Sequence, residues 1–193
     1  MAATPSTMLP LGTEAPDFGL PDTTGTTVQK NDFAGQPLVV AFICNHCPYV
    51  KHVIGQFSQV ARKYQEQGVA VVAISSNDVG SYPEDSPEKM REFATENGFS
   101  FPYLYDESQE VARAYQASCT PDLFLFDKDH RLVYRGQFDG SRPGNDEPVT
   151  GADLTAAVEA LVSGKPIPNE QTPSVGCGIK WKEGNTPPFV QIG

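Results

Sequence analysis

Cysteine is scarce in this chain: four residues in 193, too few for a disulfide scaffold at this length. Basic residues are also short, 14 Lys+Arg against 24 Asp+Glu, giving a formal net charge of -10. That balance argues against a nucleic-acid or anionic-membrane partner, both of which reward a positive surface. No apolar run approaches the roughly 20 residues that cross a bilayer. The opening stretch "MAATPSTMLPLG" has neither a basic n-region nor an apolar h-region, so no secretory signal is expected and the expected location is cytoplasmic. No internal repeat is evident. In a reducing compartment the four sulfurs are expected to be catalytic, redox-sensing or metal-binding rather than permanent bridges.

What is present is ordinary globular material, 39% hydrophobic and 20% charged, enough for one domain with a substantial core. "APDFGLPDTTGTTVQKNDFAGQP" reads as a short hairpin and loop. "PLVVAFIC" is a β-branched and aromatic run suited to a strand buried on both faces. Val50, Val53, Ile54, Phe57, Val60, Ala61 and Tyr64 then follow helical spacing, with Gly68 as the stop. "VAVVAISS" predicts a second buried strand. "SPEKMREFATENG" predicts a helix capped by Ser86, with Pro87 in its first turn and Gly98 at its end. "FPYLYD" predicts a strand, "ESQEVARAYQA" a helix, and "DLFLFDKDHRLVYRGQF" an antiparallel hairpin. "GADLTAAVEALVSG" predicts a last helix with Leu154, Ala157, Val158 and Leu161 on one stripe. The order implies an α/β sandwich with a mixed central sheet flanked by helices. We divide it into a domain over 1–164 and an extended, aperiodic tail over 165–193, anchored by Ile179, Trp181 and Phe189.

The chemistry concentrates in "FICNHCPYVKH". Cys44 ends a buried strand and Cys47 begins the amphipathic helix, where free backbone N–H groups and the helix dipole lower a thiol pKa. Pro48 fits the first turn at no hydrogen-bond cost. Cys47 is expected to face inward and Cys44 outward, an exposed attacker beside a sheltered resolver. His46 lies between them, either as an imidazolium that supports a thiolate or as a plain surface residue. Lys51 and His52 add local positive charge. A zinc knuckle needs two further ligands, and Cys119 and Cys177 are single and distant.

"CTPDLFLFD" places a proline at a strand's entry, where its missing N–H is tolerated. With the CxxC, this Thr-Pro step resembles the thioredoxin-fold superfamily. The resemblance implies that Pro121 is cis and faces Cys44 and Cys47, and that Thr120 offers backbone groups to a bound substrate strand. "LGTEAPDF", "FICNHCPYVKH", "CTPDLFLFD" and "PSVGCGIKWK" together resemble the peroxiredoxin-like thioredoxin-family proteins of the alkyl hydroperoxide reductase/thiol-specific antioxidant superfamily, over roughly residues 9 to 183. This implies a thioredoxin-like fold with an N-terminal extension and an inserted strand–helix segment. Set against the peroxiredoxin pattern P-x-x-x-T-x-x-C-P, the chain keeps Cys47-Pro48. It carries Cys44 at the threonine position, Val40 at the proline position and Pro121 where an arginine would stand. A departing peroxide oxygen would lack those donors. Arg113 and Arg135 are spatial candidates to replace the arginine.

The expected function is a thiol–disulfide oxidoreductase cycling a Cys44–Cys47 dithiol, with Cys44 attacking and no tightly bound cofactor or metal. Its expected site residues are Cys44, Cys47, His46, Thr120, Pro121 and Cys119. Expected partners are a protein or small-molecule disulfide or peroxide, and a reductant such as a thioredoxin or glutathione system. A thiol peroxidase using Cys47, with an antioxidant role, is the first alternative. A metal-binding or redox-sensing module is the second. Cys119 is either a third exchange partner, part of a soft metal site or a buried small hydrophobe. Cys177 is either a resolving thiol or a tail residue packed beside Trp181.

Overall fold

The computed structural model describes residues 3–190. In chain order its elements are β1 (Thr4–Pro5), β2 (Gly19–Pro21), β3 (Thr27–Gln29), β4 (Leu38–Phe42), α1 (Pro48–Gln65), β5 (Ala70–Ser75) and α2 (Pro87–Glu96). There follow β6 (Tyr103–Tyr105), α3 (Glu110–Ala114), β7 (Cys119–Thr120), β8 (Asp122–Phe126), β9 (Leu132–Gly136), α4 (Ala152–Val162) and β10 (Val175–Gly178). Five strands form the central sheet in the order β6-β5-β4-β8-β9. β4, β5 and β6 run parallel, whereas β8 and β9 run antiparallel to their neighbours. The sheet is therefore mixed, as the sequence predicts.

The continuous apolar runs follow from that position. All five residues of β4 and all six of β5 are buried. Val39 and Ala41 meet one core, with the apolar stripes of α1, α2 and α4. Leu38, Val40 and Phe42 meet a second core, with α3, the β2–β3 hairpin and Ile179. Each buried Val, Leu or Phe contributes about 1.5–3 kcal/mol, so β4 fixes the height at which its C-terminal end emerges. α1 buries every residue of its predicted stripe. Gly68, at φ +84, allows the turn into β5. Ser86 caps α2 by accepting the Lys89 amide.

Two elements differ from expectation. α3 is shorter than its pattern because Gln109 adopts a left-handed backbone (φ 65) and buries its side chain. Its amide donates to the carbonyls of Ser76 and Lys180, at 2.7 and 2.9 Å. Those tertiary bonds outweigh helix propensity. The tail is also not purely aperiodic: β10 lies between β1 and β7 in a small antiparallel sheet. Of the anchors, Ile179 is buried and Trp181 packs on the second core.

Candidate active site

β4 delivers the chain to Ile43, whose amide donates to the Ile74 carbonyl, and Cys44 follows directly. Cys47 is the N-cap of α1, with Pro48 at the first helical position. The loop between them hangs on Asp85, a fully buried carboxylate in the segment before α2. One oxygen accepts the backbone amides of Asn45 (2.8 Å) and His46 (3.2 Å). The other accepts Asn77 Nδ2 (2.8 Å) and meets His46 Nδ1 at 2.6 Å. Asn45 is gripped further, donating to the Glu84 carbonyl and accepting from the Tyr103 hydroxyl. His46 stacks on Tyr82 with ring centroids 5.3 Å apart. This network pre-sets the CxxC turn, and nothing in local sequence spacing announces it.

The Thr120–Pro121 peptide is cis. Thr120 closes the site from the far side, its Oγ1 3.5 Å from Cys44 Sγ and its carbonyl oxygen 3.2 Å from Cys47 Sγ. Alternation along a strand sends neighbouring side chains to opposite faces. Cys119 accordingly points away from the pair, its thiol donating to the Pro121 carbonyl. Burial and the nearby Asp122 carboxylate hold the Cys119 thiol protonated, well above its usual range.

The proton distribution differs from the sequence expectation. Cys47 is pulled from the ordinary 9.0 to about 4, because the neighbouring thiols of Cys44 and Cys177, the Thr120 hydroxyl and the Val50 amide favour its thiolate over the opposing cost of burial, whereas the Thr120 carbonyl accepts from its protonated form. Cys44 is raised, because its thiol is the donor in the Cys44–Cys47 bond, because it is buried, and because the Asp85 charge opposes a thiolate there. Cys44 does not face outward as an exposed attacker: it is 1% exposed and Cys47 0%. The hydrogen bonds at the helix start, not exposure, decide which sulfur is the thiolate. His46 does not lie free beside it, since its ring is committed to Asp85.

Cys44 Sγ, a His46 ring nitrogen and an Asp85 oxygen lie within 4.8 Å of one another. The imidazole–carboxylate spacing of 2.6 Å is that of a hydrogen bond. Donors sharing a tetrahedral zinc at about 2.0–2.3 Å would stand about 3.3 Å apart, and both Asp85 oxygens already accept elsewhere. The trio fits a positioning network better than a metal centre. The two arginines considered as peroxide anchors are engaged elsewhere, Arg113 with the Asn185 carbonyl and Arg135 with the Leu9 carbonyl and Gln171. Beside Pro121 a narrow cleft, with room for about 20 Å³, is lined by Tyr49, Val53, Phe138, Arg142 and Val175.

A dithiol at a strand-to-helix junction, faced by the threonine of a cis Thr-Pro step, defines a thioredoxin-like redox site. The chain belongs to the AhpC/TSA family, whose pattern matches residues 11–135. It is 25% identical over 123 residues to thiol-disulfide oxidoreductase ResA of Bacillus thuringiensis (strain Al Hakam), covering 64% of this chain and 67% of the relative. The crystal structure of an uncharacterized conserved protein from Geobacillus kaustophilus is 53% identical, with a TM-score of 0.92 over 94% of this chain and 97% of that one. The thioredoxin domain of a thiol-disulfide oxidoreductase from Bacteroides vulgatus shares the fold, with a TM-score of 0.63 and 20% identity over 80% of this chain and 99% of that domain.

Proposed function

We propose that this protein is a thiol–disulfide oxidoreductase that cycles Cys44 and Cys47 between dithiol and disulfide. The observation that carries the reading is the placement of the pair, Cys47 at the α1 N-cap and Cys44 just beyond β4, both meeting Thr120 at 3.2 and 3.5 Å. Cys47 Sγ attacks a substrate disulfide, forming a mixed disulfide and expelling one substrate thiolate, which takes a proton from solvent. Cys44 then no longer donates to a Cys47 thiolate, so its proton is released more easily. Its sulfur displaces the second substrate thiolate from Cys47, leaving the Cys44–Cys47 disulfide and a reduced substrate. An external dithiol or two monothiols, such as a thioredoxin or glutathione system, return the two electrons. The reading makes Cys47 rather than Cys44 the attacking sulfur.

The acidic charge balance and the small number of cysteines support a reducing, cytoplasmic setting and a disulfide rather than a nucleic-acid or membrane partner. A peroxidase cycle with an antioxidant role is the second reading, favoured by the depressed Cys47 thiol. Against it stand the missing threonine and arginine donors. The test is turnover of insulin disulfides and of hydrogen peroxide by Cys44→Ser and Cys47→Ser, each made in a Cys177→Ser background so that no other buried thiol near Cys47 can resolve it. Loss of disulfide turnover in both variants supports the proposal. If Cys44→Ser consumes hydrogen peroxide at the parent rate while Cys47→Ser is inert, the peroxidase reading replaces it.

A further inference from the structure

β10 pairs antiparallel with β7 with Cys177 directly opposite Thr120 and Gly178 opposite Cys119. Directly opposed residues of an antiparallel pair project to the same face. The register therefore sends the Cys177 side chain to the face on which Thr120 meets Cys44 and Cys47. The placement is tight. A Cβ at Gly176 would overlap the Thr120 carbonyl oxygen and press on the Thr120 carbonyl carbon, so only glycine lets the tail approach this closely. Cys177 is buried in the same apolar cluster as Cys44 and Cys47, close enough to Cys47 for the two sulfurs to shift each other's protonation. The edge of β7, where an incoming peptide strand would add to the sheet, is thus taken by the chain's own tail.

We propose that Cys177 is a third redox thiol, a resolving group carried on a resident strand that holds the place of a substrate peptide. The inference rests on the disulfide-exchange reading of the site and deepens it. After Cys47 has attacked a substrate disulfide, the Cys177 sulfur displaces the bound substrate thiolate. A Cys47–Cys177 bond forms and the substrate–Cys47 bond breaks. The proton lost by Cys177 goes to the departing thiolate through solvent, and the two electrons end on the substrate. Cys44 can subsequently attack Cys47, forming Cys44–Cys47 and restoring the Cys177 thiol with no net redox change. Burial and the Cys47 thiolate hold the Cys177 thiol up at about 12 in the resting protein, and only the part due to the Cys47 charge lifts once Cys47 has reacted.

The test isolates this step by removing Cys44. Cys44→Ser and, in parallel, Cys44→Ala are treated with glutathione disulfide, and the products are mapped by mass spectrometry. The expected product is a monomeric, unglutathionylated chain with a Cys47–Cys177 link. A lasting glutathione adduct on Cys47, with Cys177 still open to alkylation, overturns the proposal. Adding Gly176→Ala to the same background should lengthen the life of the Cys47–glutathione adduct by about tenfold or more, because the strand no longer seats against Thr120. An unchanged lifetime overturns it as well. Failure of the underlying exchange reading shows up elsewhere, as a Cys177→Ser protein that forms no Cys44–Cys47 disulfide.

Discussion

Two sulfurs three positions apart in sequence hold their protons very differently, and the difference comes from neighbours rather than from exposure. Two thiols and a helix amide close to Cys47 favour its thiolate; Cys44, beside Cys47 and the Asp85 charge, is held protonated. The ultraviolet thiolate absorbance of the reduced protein should therefore fall with a midpoint of about 4, and that transition should be absent in Cys47→Ser. Stability follows by linkage. A depressed thiol binds fewer protons folded than unfolded, so reduced protein gains stability over Cys47→Ser as pH rises from about 4 toward 9.0 and loses it on acidification. Asp85 is the other decisive residue, and sequence reasoning missed it. It lies forty positions beyond Asn45 in a "YPEDSP" segment with no motif, and two of its partners are backbone amides that carry no residue signal. Asp85→Asn keeps an acceptor for those amides but leaves His46 Nδ1 and Asn77 without a carboxylate. Chemical denaturation should show a loss of about 1–3 kcal/mol, and the Cys44 thiol should titrate lower once the opposing charge is gone.

At the scale of elements, the strands and helices whose faces are set by burial were readable, and those set by distant hydrogen bonds were not. β4, β5, α1, α2 and the β8–β9 hairpin carry strong apolar periodicity or continuous apolar runs, and each formed where its pattern predicts. β7 and β10 are two and four residues long, rich in small or polar residues, and exist because each pairs with a remote segment. No local pattern can announce such a strand. The start of β8 carries its own consequence. Asp122 is fully buried and pushed up to about 7 by burial, and one oxygen accepts the Ser118 amide. A carboxyl raised in the folded state contributes stability that is complete below its unfolded value and is lost as pH rises through the folded one. Between about 4 and about 7 this group should lower stability as pH rises, opposing the Cys47 effect. Asp122→Asn should remove that falling component, visible as a steeper rise in the melting temperature with pH across the interval. An unchanged profile would show that Asp122 is not the group responsible.

The whole molecule sets a redox pair in the core shared by α1, α2 and α4 and covers it with its own tail. The central sheet sets the height of Cys44, α1 supplies the electrostatics of Cys47, the Asp85 network fixes the turn between them, and the β1-β10-β7 sheet closes the far side. With both sulfurs buried, substrate access requires the covering segments to shift, a gating cost that isolated motifs do not reveal. The CxxC, the Thr-Pro step and the α/β class were all present in the sequence; the direction of proton sharing and the lining of the groove by β10 were properties of the folded chain. Cycling of Cys44 and Cys47 as a pair is tested by equilibrating Cys177→Ser protein with glutathione buffers of graded potential, then unfolding it and counting and mapping its thiols. A single two-electron transition that consumes Cys44 and Cys47 together and leaves Cys119 free is the predicted result. Cys47 lost alone, as an adduct or an oxygenated acid while Cys44 stays reduced, would contradict it.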